Sequence, residues 1–103
     1  MLHGMKILAV DDDVLSLEML ASILSDRGAE CCLARDGSEA MDIAEVTPDL
    51  DIMILDLQMP VMSGFDVLRQ CKGNPYLSEL PVVVVAADHA EKLASLKLGA
   101  DDF

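Results

Sequence analysis

Four aspartates stand where two apolar runs stop: Lys6-Ile7-Leu8-Ala9-Val10 ends in Asp11-Asp12-Asp13, and Ile52-Met53-Ile54-Leu55 ends in Asp56. Carboxylates supply nucleophilic oxygens and hard ligands for Mg²⁺. Apolar runs of this length, bounded by polar residues, read as buried strands. If the two are parallel neighbours, their carboxyl ends lie on one edge of a sheet and crowd three or four carboxylates together. Like charges at that spacing repel, and a divalent cation relieves the repulsion. The pattern points to an acidic Mg²⁺ pocket with one aspartate poised to react.

The elements that must position these residues alternate along the chain. Strands are predicted at 6–10, 30–34, 52–55 and 82–86, where Val82-Val83-Val84-Val85 is β-branched throughout. A helix is predicted over 14–25, with Leu15, Met19, Ile23 and Leu17, Leu20, Leu24 giving it a broad apolar face. Asp13 is its expected N-cap and Gly28 follows its end. A second helix starts at Asp36-Gly37-Ser38-Glu39 with capping-box spacing and runs to Val46, where Thr47-Pro48 breaks it. Further helices are predicted over 65–72 and 89–98, the latter with Gly99 past its end. A βαβαβαβα order implies right-handed crossovers and a parallel sheet covered by helices on both faces. Sites in such sheets lie beyond the carboxyl ends of the strands, where the strand order reverses. In a 2-1-3-4-5 order those are strands one and three, the two that end in aspartates.

Composition narrows the classes. A length of 103 residues fits one domain, and 52% apolar residues fit a sheet with both faces covered. No apolar run approaches a membrane span, and no signal peptide is apparent, so a cytoplasmic location is expected. Asp and Glu outnumber Lys and Arg by 19 to 7, a net charge of -12, which argues against direct nucleic-acid binding by this segment. Cys31 and Cys32 point to opposite faces of a strand and Cys71 stands apart, without metal-ligand spacing. They read as reduced thiols. Asp49, Asp51, Asp101 and Asp102 read as solvated loop charges, Met59 and Met62 as packing residues, and His89 as a surface helix residue.

The chain resembles the receiver domain of bacterial two-component response regulators, a family that the doubly wound flavodoxin-like fold includes. The matching residues are Ile7 to Asp13, Pro48-Asp49-Leu50, Leu55-Asp56-Leu57-Gln58-Met59-Pro60-Val61-Met62-Ser63-Gly64, Leu80-Pro81 with the four valines, and Gly99-Ala100-Asp101-Asp102-Phe103. The resemblance implies that Asp56 is the phosphoacceptor, taking a phosphoryl group from a histidine kinase or phosphotransfer protein. It implies that Asp11, Asp12 and Asp56, with the backbone carbonyl of Gln58, hold Mg²⁺. The module is then a signalling domain and not an enzyme in its own right.

Two departures from the family pattern bear on switching. The hydroxyl residue the family carries at the end of strand four is Ala86 here, followed by Ala87. Phe103 resembles the switch aromatic, but the family's Lys-Pro pair, the rest of strand five and helix five do not follow, so residues 1–103 read as a single incomplete receiver domain. No lysine takes the place of the missing one. An uncovered strand 82–86 also has the profile of a self-associating edge, which predicts a homodimer or swapped oligomer. A receiver-like interaction domain with a decayed switch is thus the second reading. A third is a haloacid-dehalogenase-like phosphatase, since Asp11-Asp12-Asp13 supplies the Asp-x-Asp of its Asp-x-Asp-x-Val signature, with Asp11 as nucleophile and Asp13 as acid/base.

Overall fold

The computed structural model describes residues 3–56, 64–75 and 77–85. Residues 57–63, with the loop predicted from Gln58 to Ser63, and everything from Ala86 to Phe103, including the predicted helix over 89–98, lie outside them.

The chain starts with strand β1 (Lys6–Val10), helix α1 (Val14–Asp26), strand β2 (Glu30–Ala34) and helix α2 (Gly37–Val46). Strand β3 (Ile52–Asp56), helix α3 (Gly64–Gly73) and strand β4 (Val82–Val85) follow. All pairings are parallel, in the order β2-β1-β3-β4. That is the expected order, with β1 and β3 side by side at its centre.

Alternation along the strands builds two faces. Leu8, Val10, Met53, Leu55, Val82 and Val84 form one core with Ala40, Met41 and Ala44 of α2 and Val67, Leu68 and Cys71 of α3. The Cys71 thiol lies 3.8 Å from the Met41 sulfur, and burial pushes its pKa up. All three cysteines are free thiols.

The opposite face carries Ile7 and Ala9, both buried, and α1, which packs against β1 and β2, buries its Leu17. The broad apolar face expected of α1 is only half used. Leu17 is buried and Leu20 and Leu24 are half-buried, whereas Leu15, Met19 and Ile23 are 65%, 60% and 49% exposed. The reason is geometric: a helix lying on a flat sheet touches it along one stripe, so the second apolar stripe turns outward.

Helix ends follow their local chemistry. The Asp36 carboxylate accepts a hydrogen bond from the Glu39 amide at 2.8 Å, as the capping-box spacing predicts. At the end of α1, Gly28 takes φ 95°, a conformation that costs a side-chain-bearing residue. The Gly28 amide donates to the Ser25 carbonyl and the Ala29 amide to the Leu24 carbonyl, a Schellman closure that delivers the chain into β2.

Candidate functional site

The strand register builds the site. Val10 pairs with Leu55, so one step further along each strand sets Asp11 beside Asp56. Neighbouring strands lie about 4.8 Å apart, and alternation puts both side chains on the face that carries Ala9 and Ile54. Asp56 is the last residue of β3, one position longer than the apolar run suggests, because it still pairs with Val85 of β4. Asp12 lies just past β1. Carboxylate oxygens of Asp11, Asp12 and Asp56 all fall within 4.8 Å of one another. Asp11 and Asp56 are half-buried and Asp12 is exposed.

The surrounding backbone holds this arrangement. The Asp11 amide donates to the Ala34 carbonyl of β2 at 3.1 Å, extending the sheet one residue past β1. The Asp13 amide donates to the Asp11 carboxylate at 3.0 Å, which fixes the turn out of the strand. Asp13 serves as the predicted N-cap. Its carboxylate accepts from the Leu15 amide at 3.1 Å and from the Ser16 hydroxyl at 3.0 Å. An Asp13 engaged in this way is poorly placed to be the acid/base of a phosphatase.

The donor set suits Mg²⁺, a hard cation bound by oxygen at about 2.1 Å, usually through one or two carboxylates with several retained waters. Two oxygens bound directly to one such ion are at most about 4.2 Å apart. A three-carboxylate cluster spanning up to 4.8 Å therefore takes the ion with a small closure, or with one carboxylate acting through water.

Two aspartates expected to be merely solvated do structural work at the other end of the sheet. Asp49 pairs with the Lys6 ammonium at 2.8 Å, and Asp51 accepts from the Lys6 backbone amide at 2.7 Å while its own amide donates to the Lys6 carbonyl. The hydrogen bond with Lys6 lowers the Asp49 pKa, and the same bond raises that of Lys6. The clamp joins the start of β1 to the approach to β3, so it helps set the register that brings Asp11 to Asp56. A lysine opening one strand and two acids preceding another were the only sequence signal for it.

The sheet order and the acids at its carboxyl edge define a doubly wound parallel α/β fold with its site at the switch in strand order. The chain belongs to the response regulator receiver domain family, whose profile matches residues 7–103. Response regulator MprA of Mycobacterium tuberculosis is 41% identical over 103 residues, which cover 97% of this chain and 43% of MprA. The chain thus spans less than half the length of that relative. Among solved structures, the chemotaxis protein CheY4 of Vibrio cholerae superposes with a TM-score of 0.87 at 30% identity, over 95% of this chain and 82% of that one. The Mn²⁺-bound form of response regulator Rcp1 gives 0.85 at 29% identity, over 96% of this chain and 78% of Rcp1. Among the described residues no helix is long and apolar enough to cross a membrane.

Proposed function

We propose that the chain is a phosphoryl-accepting receiver in which Asp56 takes a phosphoryl group from a histidine kinase or phosphotransfer protein. The observation that carries this reading is the convergence of Asp11, Asp12 and Asp56 within 4.8 Å at the carboxyl edge of β1 and β3. An Asp56 carboxylate oxygen attacks phosphorus. The oxygen–phosphorus bond forms as the phosphorus–nitrogen bond to the donor histidine breaks, and the electron pair leaves with the imidazole, giving an aspartyl phosphate. Asp11, Asp12 and Asp56, with the Gln58 carbonyl, would hold Mg²⁺. That ion supplies neutralisation of the charge on the transferring phosphoryl oxygens. That response regulator Rcp1 has a Mn²⁺-bound form supports divalent-cation binding by this chain. Asp11, hydrogen-bonded to the turn, keeps one ligand fixed, while exposed Asp12 leaves the pocket open to the donor. With a net charge of -12 this segment makes no phosphate-backbone contacts of its own. A cytoplasmic location goes with this reading.

The test is incubation with acetyl phosphate and Mg²⁺, read by intact mass. One phosphoryl group should appear on the wild type and none on Asp56→Asn or after chelation. Equal labelling of Asp56→Asn would refute the assignment.

A second reading rests on Ala86, which offers no hydroxyl to the phosphoryl group. The chain is then a receiver-like interaction domain that self-associates through 82–86, with β4 outermost among the described strands. It predicts a concentration-dependent sedimentation coefficient that Asp56→Asn leaves unchanged. A monomer at all concentrations counts against it.

A further inference from the structure

At the end of the sheet opposite the acids, the segments that lead into β3 and β4 enclose a half-open cavity of about 580 Å³. Pockets for small organic ligands commonly span roughly 300–1,000 Å³ and combine apolar walls with a few polar groups. Here Pro48, Leu50, Leu77 and Leu80 provide apolar wall, and the exposed acidic residues Glu45 and Glu79 stand in its lining. No basic residue is among the described lining residues, and no ion pair joins Glu45 or Glu79 to a described basic side chain. The nearby Lys72 ammonium is directed to the Ser78 and Leu80 carbonyls, at 3.4 and 3.3 Å.

The walls are preformed. The Leu50 amide donates to the Thr47 carbonyl, the Leu77 and Ser78 amides to that of Asn74, and the Leu80 amide to that of Leu77. The Met53 amide donates to the Pro81 carbonyl at 2.9 Å, tying the second segment to β3. A ligand therefore meets a shaped surface, and little ordering opposes its binding.

Apolar walls select an apolar body, and two acidic residues without a cationic partner among the described residues select positive charge. We propose that this cleft binds an organic ammonium ion, its hydrocarbon part against Leu50, Leu77 and Leu80 and its charge toward Glu45 and Glu79. An excess of twelve negative charges over the chain also favours the approach of cations. β3 rises about 3.3 Å per residue, so the cleft lies more than roughly 10 Å from Asp56. Occupancy of one site does not sterically exclude occupancy of the other.

The experiment is a two-dimensional amide NMR titration of the chain with phenylbutylamine, and in parallel with phenylbutyrate, which has a similar body and the opposite charge. Saturable shifts at the Leu50, Leu77, Glu79 and Leu80 amides with the amine, and binding of phenylbutyrate at least tenfold weaker, are the expected result. The double variant E45Q/E79Q should keep the native amide pattern and lose about tenfold in amine affinity, since each carboxylate adds a screened Coulombic attraction worth about a factor of three. Absence of saturable shifts at these amides overturns the proposal. So does equal binding of amine and carboxylate, or full amine affinity in E45Q/E79Q.

Discussion

Replacing Asp12 with Asn tests whether the three carboxylates are held together against their own repulsion. Two unit charges 4.8 Å apart, the outer limit in this cluster, repel by about 0.9 kcal/mol in a water-like dielectric. Salt near 0.15 M, with a screening length of about 8 Å, reduces that to about 0.5 kcal/mol. Asp12 has two such neighbours, so Asp12→Asn should stabilise the metal-free protein by about 1 kcal/mol. For a chain of 103 residues this raises Tm by about 4 °C. Mg²⁺ at about a hundred times its Kd adds about 2.7 kcal/mol to the wild type. The variant, if its Kd is about tenfold higher, gains about 1.4 kcal/mol. A tenfold weakening therefore already reverses the order: the variant leads in EDTA and the wild type leads in Mg²⁺. Urea unfolding in the two buffers reads both values. An Asp12→Asn protein less stable than wild type in EDTA, or stabilised equally by Mg²⁺, would refute the reasoning.

Leu8→Ala removes a fully buried side chain from the centre of the sheet and should cost about 2–5 kcal/mol by chemical denaturation. Asp36→Ala deletes the cap on the Glu39 amide; a loss of about 1 kcal/mol is expected, with the urea m-value unchanged. The Lys6–Asp49 pair gives a pH signature. The Asp49 pKa is depressed from its ordinary 3.8, so its stabilisation holds above that value and fades as pH falls through the lower folded one. The Lys6 pKa is raised above 10.5, so its share holds below that value and fades as pH rises through the higher folded one. The stability difference between wild type and Asp49→Asn should accordingly be present at neutral pH and close at both extremes in Tm-against-pH profiles.

Much of the fold was legible because short-range chemistry dictates it. Strand β1, strand β2 and the caps at Asp13 and Asp36 follow from apolar runs, Gly28 and carboxylates placed before helical residues. Residues 11, 12 and 56 were legible as a cluster because only parallel neighbours fit the alternating pattern. What could not be read locally was how much of an apolar helix finds a partner. Leu15, Met19 and Ile23 carry the same periodic signal as Leu17, Leu20 and Leu24, yet only the latter stripe meets the sheet.

The sequence by itself determined which residues are acidic, which segments bury themselves, and that two strands end in carboxylates. Tertiary structure decided the register that sets Asp11 directly level with Asp56, a long-range pairing that no local propensity encodes. It also decided that Lys6 clamps Asp49 and Asp51 and that a cleft opens between the segments entering β3 and β4. Both join positions more than twenty residues apart in the chain, and they exist only once the sheet has brought those positions together.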